Sequence, residues 1–222
     1  MLDEALIDSV KGFLDKAEGR RIYEVAASAA PMGPCLEIGS YCGKSALYLG
    51  AACKAAGGLL YSIDHHRGSE EQQPGEGYFD PDTYDPRTGK VDTLPFFREA
   101  MARADLTDVV LPLVGRSAAF ARYWSIPLSL VFIDGGHSYA AAVGDYTAWA
   151  GHIMAGGYLL IHDIFKNPEE GGQAPYYIYR QALASGLFTE LPMTRTLGVL
   201  RRRAPGELPE DAGESVEKAL RG

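Results

Sequence analysis

The sequence is poor in cysteine and has no long apolar run. Its three cysteines, Cys35, Cys42 and Cys53, crowd around one short segment. Their number is odd and their spacing matches no zinc pattern, which predicts reduced, partly buried thiols. No apolar run approaches the roughly 20 residues that span a bilayer, so no membrane association is expected. Residues 1–4 lack the basic start of a secretory signal, and we expect a cytoplasmic protein.

Positive charge is also scarce. Lysine and arginine number 21 against 29 acidic residues, which gives a net charge of −8. Proteins that bind the phosphate backbone of a nucleic acid need a basic surface, so nucleic acid is not an expected partner. The 222 residues are 46% hydrophobic and 23% charged, a composition and length that suit one globular α/β domain.

The most informative stretch runs from residue 35 to residue 45. A short apolar run, residues 35–38, carries an acid at Glu37 and leads into Gly39 and Gly43. An Ala/Leu-rich helical pattern follows over residues 45–56. A strand, a glycine turn and a helix together bring bare backbone close to a ligand, and the start of the helix offers unpaired N–H groups.

Three nucleotide-binding interpretations compete for this turn, besides an ordinary strand-to-helix connection. A P-loop needs four residues between its glycines, whereas Gly39 and Gly43 are separated by three, despite the suggestive Lys44. A dinucleotide fingerprint needs glycine at position 41, where the sequence has Tyr41. The pattern that fits is Glu37-x-Gly39-x-x-x-Gly43.

This pattern resembles motif I of class I S-adenosylmethionine (SAM)-dependent methyltransferases. The resemblance implies that SAM lies over the turn and that its binding residues there are Glu37, Gly39, Ser40, Tyr41, Gly43 and Ser45.

Two later strand ends extend the predicted cofactor site. A compact strand over residues 59–63 ends at Asp64, whose carboxylate can accept hydrogen bonds from both ribose hydroxyls. His65 follows and could pack on the adenine or the ribose. A third strand, residues 109–114, ends just before Ser117, a candidate adenine contact in a fold of this class.

Residues 65–92 form a long segment rich in Gly, Pro, Asp and Glu, with no periodicity. A loop of this length is often a lid or a binding loop, and Tyr78, Phe79 and Tyr84 could pack on a sugar or an aromatic acceptor. A solvated acidic loop is the alternative, and both interpretations stay open.

The predicted chemistry lies at the ends of the fourth and fifth strands. Residues 128–133 form an apolar strand that leads into Asp134 and, three residues later, His137. Histidine titrates near neutral pH and can take a proton from a hydroxyl. The fifth strand, residues 158–161, leads into His162 and Asp163. Asp134 and Asp163 could share a divalent cation, with oxygen ligands that suit Mg²⁺.

Over about residues 20–203 the chain resembles the small bacterial O-methyltransferases that carry Asp-Gly-x-His after the fourth strand. Residues 65–71, 134–137 and 162–163 are also similar to the mycobacterial methylmannose polysaccharide 1-O-methyltransferases. The resemblance implies a Rossmann-like, seven-stranded, mostly parallel sheet with helices on both faces and a terminal antiparallel strand. We expect one domain over residues 1–203, with a helical cap at 3–30 and a polar tail at 204–222 that ends in a short amphipathic helix.

Comparison with the catechol-type enzymes assigns roles by position. Asp134 and Asp163 match the two metal-binding acids, and His137 stands where those enzymes have a general-base lysine. Ile164 stands where they have a ligating asparagine, so the candidate replacement is Glu70, Glu71 or His162, or there is no metal.

The expected activity is SAM-dependent O-methyl transfer to a hydroxyl of a small molecule or a saccharide. His137 is the expected base, and Asp134 orients it or binds Mg²⁺ that lowers the pKa of the hydroxyl. A homodimer through the N-terminal helices is expected. A nucleotide-dependent phosphotransferase and a non-catalytic SAM-binding module are the alternatives.

Overall fold

A seven-stranded sheet forms the centre of the computed structural model, which describes residues 2–207. The nine strands are β1 (Cys35–Ile38), β2 (Leu60–Asp64), β3 (Tyr84–Asp85), β4 (Lys90–Val91), β5 (Val110–Val114), β6 (Leu128–Ile133), β7 (Ile153–Ile161), β8 (Phe188–Thr194) and β9 (Leu197–Arg202). The large sheet has the order β5-β2-β1-β6-β7-β9-β8, and β3 and β4 pair separately. In the large sheet β9 alone runs antiparallel to the other six strands, which confirms the predicted fold class.

Helices cover both faces of this sheet. They are α1 (Glu4–Ser9), α2 (Lys16–Ala29), α3 (Lys44–Ala56), α4 (Leu94–Arg103), α5 (Ser117–Ala121), α6 (Tyr139–Trp149) and α7 (Ala174–Ala184). One buried cluster joins α2, α3 and α4 to the sheet, and a second joins α6 and α7 to the opposite face. Among residues 2–207, no helix has the length and apolarity needed to cross a membrane.

Strand order places a ligand cleft between β1 and β6. Both strands are buried along their whole length, as the apolar sequences predict for a sheet covered on both faces. From β1 the chain moves outward to β2 and β5, and it then crosses to β6 on the other side of β1. The carboxyl ends of such diverging strands leave a crevice where α/β proteins bind their ligands.

Several predicted boundaries needed correction. The predicted helical cap at 3–30 consists of two helices. The first ends at its C-cap, Val10, and the second begins after its N-cap, Asp15, whose side chain accepts a hydrogen bond from the Ala17 amide. Phe13, between the two helices, is 64% exposed. The fifth strand begins at Ile153 rather than at residue 158, since Ile153 already pairs with Leu128 and, after an irregular stretch that contains Gly156 and Gly157, the pairing resumes at Tyr158.

The segment 65–92 is more ordered than its composition suggests. It contains two short 3₁₀ turns, Glu70–Gln72 and Pro81–Thr83, and the β3–β4 hairpin. Lys11 donates hydrogen bonds to Asp80 and Asp82, so the N-terminal segment fastens this loop. In the predicted tail, residues 205–207 form a 3₁₀ turn, and the predicted amphipathic helix lies outside the described residues.

Gly39 brings the two halves of the crevice into contact. Its φ of +88° favours glycine, and a Cβ there would come within 2.1 Å of the Asp134 carbonyl oxygen. The turn after β1 can therefore touch the residue after β6 only if position 39 has no side chain.

We predict that Gly39→Ala is strongly destabilising, and Gly57→Ala is the matched control. Gly57 also has a positive φ, +67°, but an added Cβ would meet no atom within 4 Å. The control should lower the free energy of unfolding by about 1 kcal/mol, which is the backbone strain alone. Gly39→Ala should cost at least about 2 kcal/mol more in urea unfolding, because backbone must move. Equal losses would show that the close approach to Asp134 does not constrain the fold.

Candidate active site

A cleft of about 920 Å³ opens at the carboxyl ends of β1, β2, β6 and β7. Most of the residues singled out from the sequence line it, namely Gly39, Ser40, Tyr41, Ser45, Asp64, His65, Ser117, Asp134, His137, His162 and Asp163. The topology thus gathers residues from five separate parts of the chain around one cavity.

Asp64 organises the cofactor side of the cleft. One carboxylate oxygen accepts the backbone N–H groups of Ser40 and Tyr41 at 3.0 and 2.9 Å, and the other accepts that of His66 at 2.7 Å. A carboxylate can accept about four hydrogen bonds, so one acceptor position remains for a ligand hydroxyl. The Ser40 hydroxyl oxygen is buried with no hydrogen-bond partner among the described residues, which leaves a second polar group for a ligand. These residues fit a ribose-bearing cofactor.

The structure places two predicted cofactor contacts beneath the cleft instead of in its wall. Glu37 is fully buried and accepts hydrogen bonds from the Ser45 and Ser62 hydroxyls, so it joins β1 to α3 and β2. Burial raises its pKa to about 8. Gly43 caps α3 and packs on α4, since a Cβ there would lie 3.0 Å from Met101. Both residues shape the turn from below.

Asp145 is a cleft residue that the sequence analysis did not identify. It accepts a hydrogen bond from the Ser117 hydroxyl, and both side chains line the cavity beyond Asp64. Burial raises the pKa of Asp145. The packing of α5 on α6 produces this pair, and nothing in the spacing of the sequence indicated it.

His137 lies at the other end of the cleft, between two carboxylates. Its Nε2 is 3.1 Å from Asp163 Oδ2, and its Nδ1 is 3.3 Å from Glu71 Oε2. The hydrogen bond with Asp163 raises the pKa of His137. Glu71 belongs to the segment 65–92, which therefore reaches over this end of the cleft.

His162 is buried among three carboxylates. Its Nε2 is 3.0 Å from Glu18 Oε2, and its Nδ1 is 3.0 Å from Asp134 Oδ1 and 3.5 Å from Asp163 Oδ2. Burial alone would lower the pKa of His162, but the three acids outweigh it and raise the pKa. The ring is therefore a cation that donates from both nitrogens.

The same cluster has the donor atoms of a metal site. Asp134, His162 and Asp163 each offer one ligand atom, and these atoms lie within 4.8 Å of one another. Glu18 holds the second nitrogen of His162, as carboxylates commonly do beside a ligating histidine. A mixed nitrogen and oxygen set fits Mn²⁺ better than Mg²⁺, which prefers oxygen, and binding would displace the proton on Nδ1.

Glu18 was missed by the sequence analysis. Its signal was an acid in the apolar stripe of a helix, four residues after Leu14 and four before Ile22.

The sheet order and the cleft define a Rossmann-like α/β enzyme fold with a ligand site at the switch point between β1 and β6. A family model described as a methyltransferase domain matches residues 36–164, which is more than half of the chain. The chain therefore belongs to the methyltransferase-domain family, and the resemblance noted from its motifs is confirmed at this level.

Solved structures share this fold at low identity. NovP, an O-methyltransferase, is 16% identical with a TM-score of 0.62, over 85% of this chain and 80% of that one. TomG, an O-methyltransferase from Streptomyces achromogenes in complex with SAM, is 15% identical with a TM-score of 0.60, over 86% and 82%. A Bacillus cereus O-methyltransferase in complex with SAH is 12% identical with a TM-score of 0.61, over 90% and 86%.

We predict that the free energy of unfolding of Glu37→Gln, relative to that of the wild type, increases as the pH rises. The folded pKa, about 8, exceeds the ordinary value of 4.5. Between these pH values the unfolded chain loses the Glu37 proton while the folded chain keeps it. The free energy of unfolding of the wild type therefore falls by about 1.4 kcal/mol per pH unit, and this loss is absent in Glu37→Gln.

Urea unfolding from pH 4.5 to pH 8 measures this difference. Glu99→Gln, on the exposed face of α4, is the control and should follow the wild type. A constant difference between Glu37→Gln and the wild type across this range would mean that Glu37 is ionised in the folded protein.

Proposed function

We propose that this protein is a SAM-dependent O-methyltransferase that transfers a methyl group to a hydroxyl of a small molecule or a saccharide. The observation that carries the proposal is one cleft with two chemically distinct ends. Asp64 and the glycine turn form a site for a ribose-bearing cofactor, and His137, held by Asp163, is a candidate base. The bound SAM and SAH in relatives of the same fold support this choice of cofactor.

The cofactor half would bind SAM through residues at three strand ends. The free acceptor position of Asp64 and the unpartnered Ser40 hydroxyl would receive ribose hydroxyls. Ser117 and Asp145 would face the adenine, since they line the cavity beyond Asp64. His65 borders the same end of the cleft and remains a predicted contact. SAM, when bound, supplies an electrophilic methyl group on a sulfonium.

The acceptor half would prepare the hydroxyl. Neutral His137 would take its proton through a ring nitrogen while the oxygen attacks in line. Asp163 fixes the ring and stabilises the imidazolium that forms, as its 3.1 Å contact permits. Glu71 now covers the second nitrogen, so an acceptor would enter as this residue moves aside. Much of the rate would come from holding the hydroxyl at attack distance.

Aromatic side chains of the cleft lining suit a sugar ring or a phenol. Phe13 and Tyr78 make an edge-to-face contact with centroids 5.3 Å apart, and both are more than half exposed. Phe13, from the N-terminal segment, also has its ring centroid 6.0 Å from that of Tyr41 in the glycine turn. Tyr78, from the segment 65–92, donates its backbone N–H to the Glu71 carbonyl at 3.1 Å, and this contact supports the lid interpretation of that segment.

A divalent cation would be held by Asp134, His162 and Asp163, and it would act as a Lewis acid on the acceptor hydroxyl. The Mg²⁺ inferred from the sequence becomes Mn²⁺ as the favoured ion, because one ligand is an imidazole. The homodimer, the cytoplasmic location and the lack of a nucleic-acid partner remain predictions.

The phosphotransferase alternative is disfavoured by the position of Lys44. Its Nζ donates to the Gly12 carbonyl at 3.1 Å, and burial lowers its pKa, whereas a P-loop lysine must reach phosphate oxygens. A non-catalytic SAM-binding module would need no base, yet His137 is oriented by two carboxylates.

We predict that His137→Ala lowers turnover at least about 100-fold, because general-base catalysis contributes roughly that much. Its affinity for S-adenosylhomocysteine should stay within about twofold, since His137 lies away from the glycine turn. The assay is S-adenosylhomocysteine release across a panel of sugars and phenols. His152→Ala, remote from the cleft, is the control. Turnover near the wild-type level would remove His137 from the mechanism.

Turnover should also depend on a divalent cation. After chelation and dialysis, we expect Mn²⁺ to restore activity at lower concentration than Mg²⁺, because of the imidazole ligand. Asp163→Asn should weaken this response. Full turnover in the presence of excess chelator would rule out a catalytic cation.

A further inference from the structure

Glu18 is an ionisable side chain that lies behind the cleft, and the proposed reaction does not use it directly. It belongs to α2 and is 3% exposed. One carboxylate oxygen contacts His162 Nε2 at 3.0 Å. The other accepts two hydrogen bonds from Thr196, one from the backbone N–H at 2.8 Å and one from the hydroxyl at 2.7 Å. Among residues 2–207, the side-chain hydrogen bonds of this buried acid are thus with His162 and with Thr196 of the β8–β9 turn.

Stability alone does not explain a carboxylate at this position. Its burial costs several kcal/mol of desolvation, and well-packed apolar residues often replace buried ion pairs without loss of stability. The other buried residues of α2 carry no charge, namely Gly19, Ile22, Val25, Ala26 and Ala29. The charge is therefore best explained by what it does to His162.

The first effect of Glu18 is on the ring of His162. By accepting from Nε2, Glu18 fixes the plane of the ring and turns Nδ1 toward Asp134 Oδ1 and Asp163 Oδ2. Asp163 Oδ2 is also the atom that contacts His137 Nε2. An unbroken line of contacts leads from α2 to the candidate base.

The second effect of Glu18 is on the backbone of Asp163. Its φ is +57°, a left-handed value that costs energy in a residue with a side chain. The next residue, Ile164, donates its N–H to the Thr196 carbonyl at 2.9 Å, and Glu18 binds the same Thr196. Glu18 therefore braces the turn that holds Asp163 in its strained conformation.

We propose that Glu18 is a positioning residue for methyl transfer, which acts through His162 and Thr196 to fix Asp163 and hence the ring of His137. The inference rests on the proposed function, because its kinetic effect requires His137 to act on the acceptor. Glu18 is not among the residues that line the cleft, so it would act through other side chains.

Glu18→Gln tests this inference, with Glu24→Gln as the matched control. Glutamine keeps the size of the side chain and can still accept from Thr196, but its amide N–H groups face the ring N–H of His162. Glu24 lies on the same helix, and its side chain is 64% exposed and pairs with Arg21. Both variants remove one charge from α2.

We expect kcat of Glu18→Gln to fall on the order of 10- to 100-fold, the usual effect of losing a group that orients an active-site histidine. KM for SAM and the Kd of S-adenosylhomocysteine should change less than about twofold, and Glu24→Gln should match the wild type. The imidazole ¹⁵N and ring N–H signals of His162 should also shift in Glu18→Gln. Unchanged kcat in a folded variant whose melting temperature has dropped would reduce Glu18 to a structural residue and overturn the proposal.

Thr196→Val is the second variant, and it tests the proposal if Glu18→Gln does not fold. It removes only the hydroxyl donor and keeps the backbone N–H that Glu18 also binds. We expect a smaller loss of kcat, about 3- to 10-fold, again without a change in S-adenosylhomocysteine affinity. Unchanged kcat would contradict the proposed effect of Glu18 on Asp163 through Thr196.

The NMR readout separates failure of this inference from failure of the proposed function. If the wild type transfers no methyl group, the proposed function fails. A shift of the His162 signals in Glu18→Gln would still show that Glu18 orients the His162 ring. If the wild type is active and those signals do not move, the inference alone fails.

Discussion

The contact between the Gly39 backbone and the Asp134 carbonyl is the constraint on which the site depends. It joins the turn after β1, which carries Ser40 and Tyr41, to the loop after β6, which leads to His137. A side chain at position 39 would push these loops apart and change the distance between the two ends of the cleft. In the proposed methyl transfer the reacting atoms must be at near-contact distance, and this single backbone approach would set that distance.

Two buried glutamates show how surroundings decide the role of one residue type. Among the described residues, Glu37 accepts hydrogen bonds from two hydroxyl groups. Its pKa is raised to about 8, so the carboxyl group is neutral and supports the glycine turn from below. Glu18 meets the imidazolium of His162, which lowers its pKa against the effect of burial, and so it remains charged. The neutral acid supports the cofactor half, and the charged acid supports the acceptor half.

Residues at strand ends were predictable from the sequence, because parallel strands bring their carboxyl ends to one edge of the sheet. Gly39, Asp64, Asp134 and Asp163 follow that rule, and all of them line the cleft. Side chains delivered by helix packing were not predictable. Asp145 reaches Ser117 only because α6 packs on α5, and Glu18 reaches His162 across a sequence separation of 144 residues. No local pattern encodes such contacts.

Calorimetric titration with S-adenosylhomocysteine, with ATP and NAD as competing candidates, tests the central claim most directly. The account predicts micromolar binding of S-adenosylhomocysteine to the wild type, retained in His137→Ala, with no comparable binding of ATP or NAD. Binding of ATP in preference to S-adenosylhomocysteine, or no binding of S-adenosylhomocysteine to folded protein, would contradict the assignment of the glycine turn and with it the proposed methyl transfer.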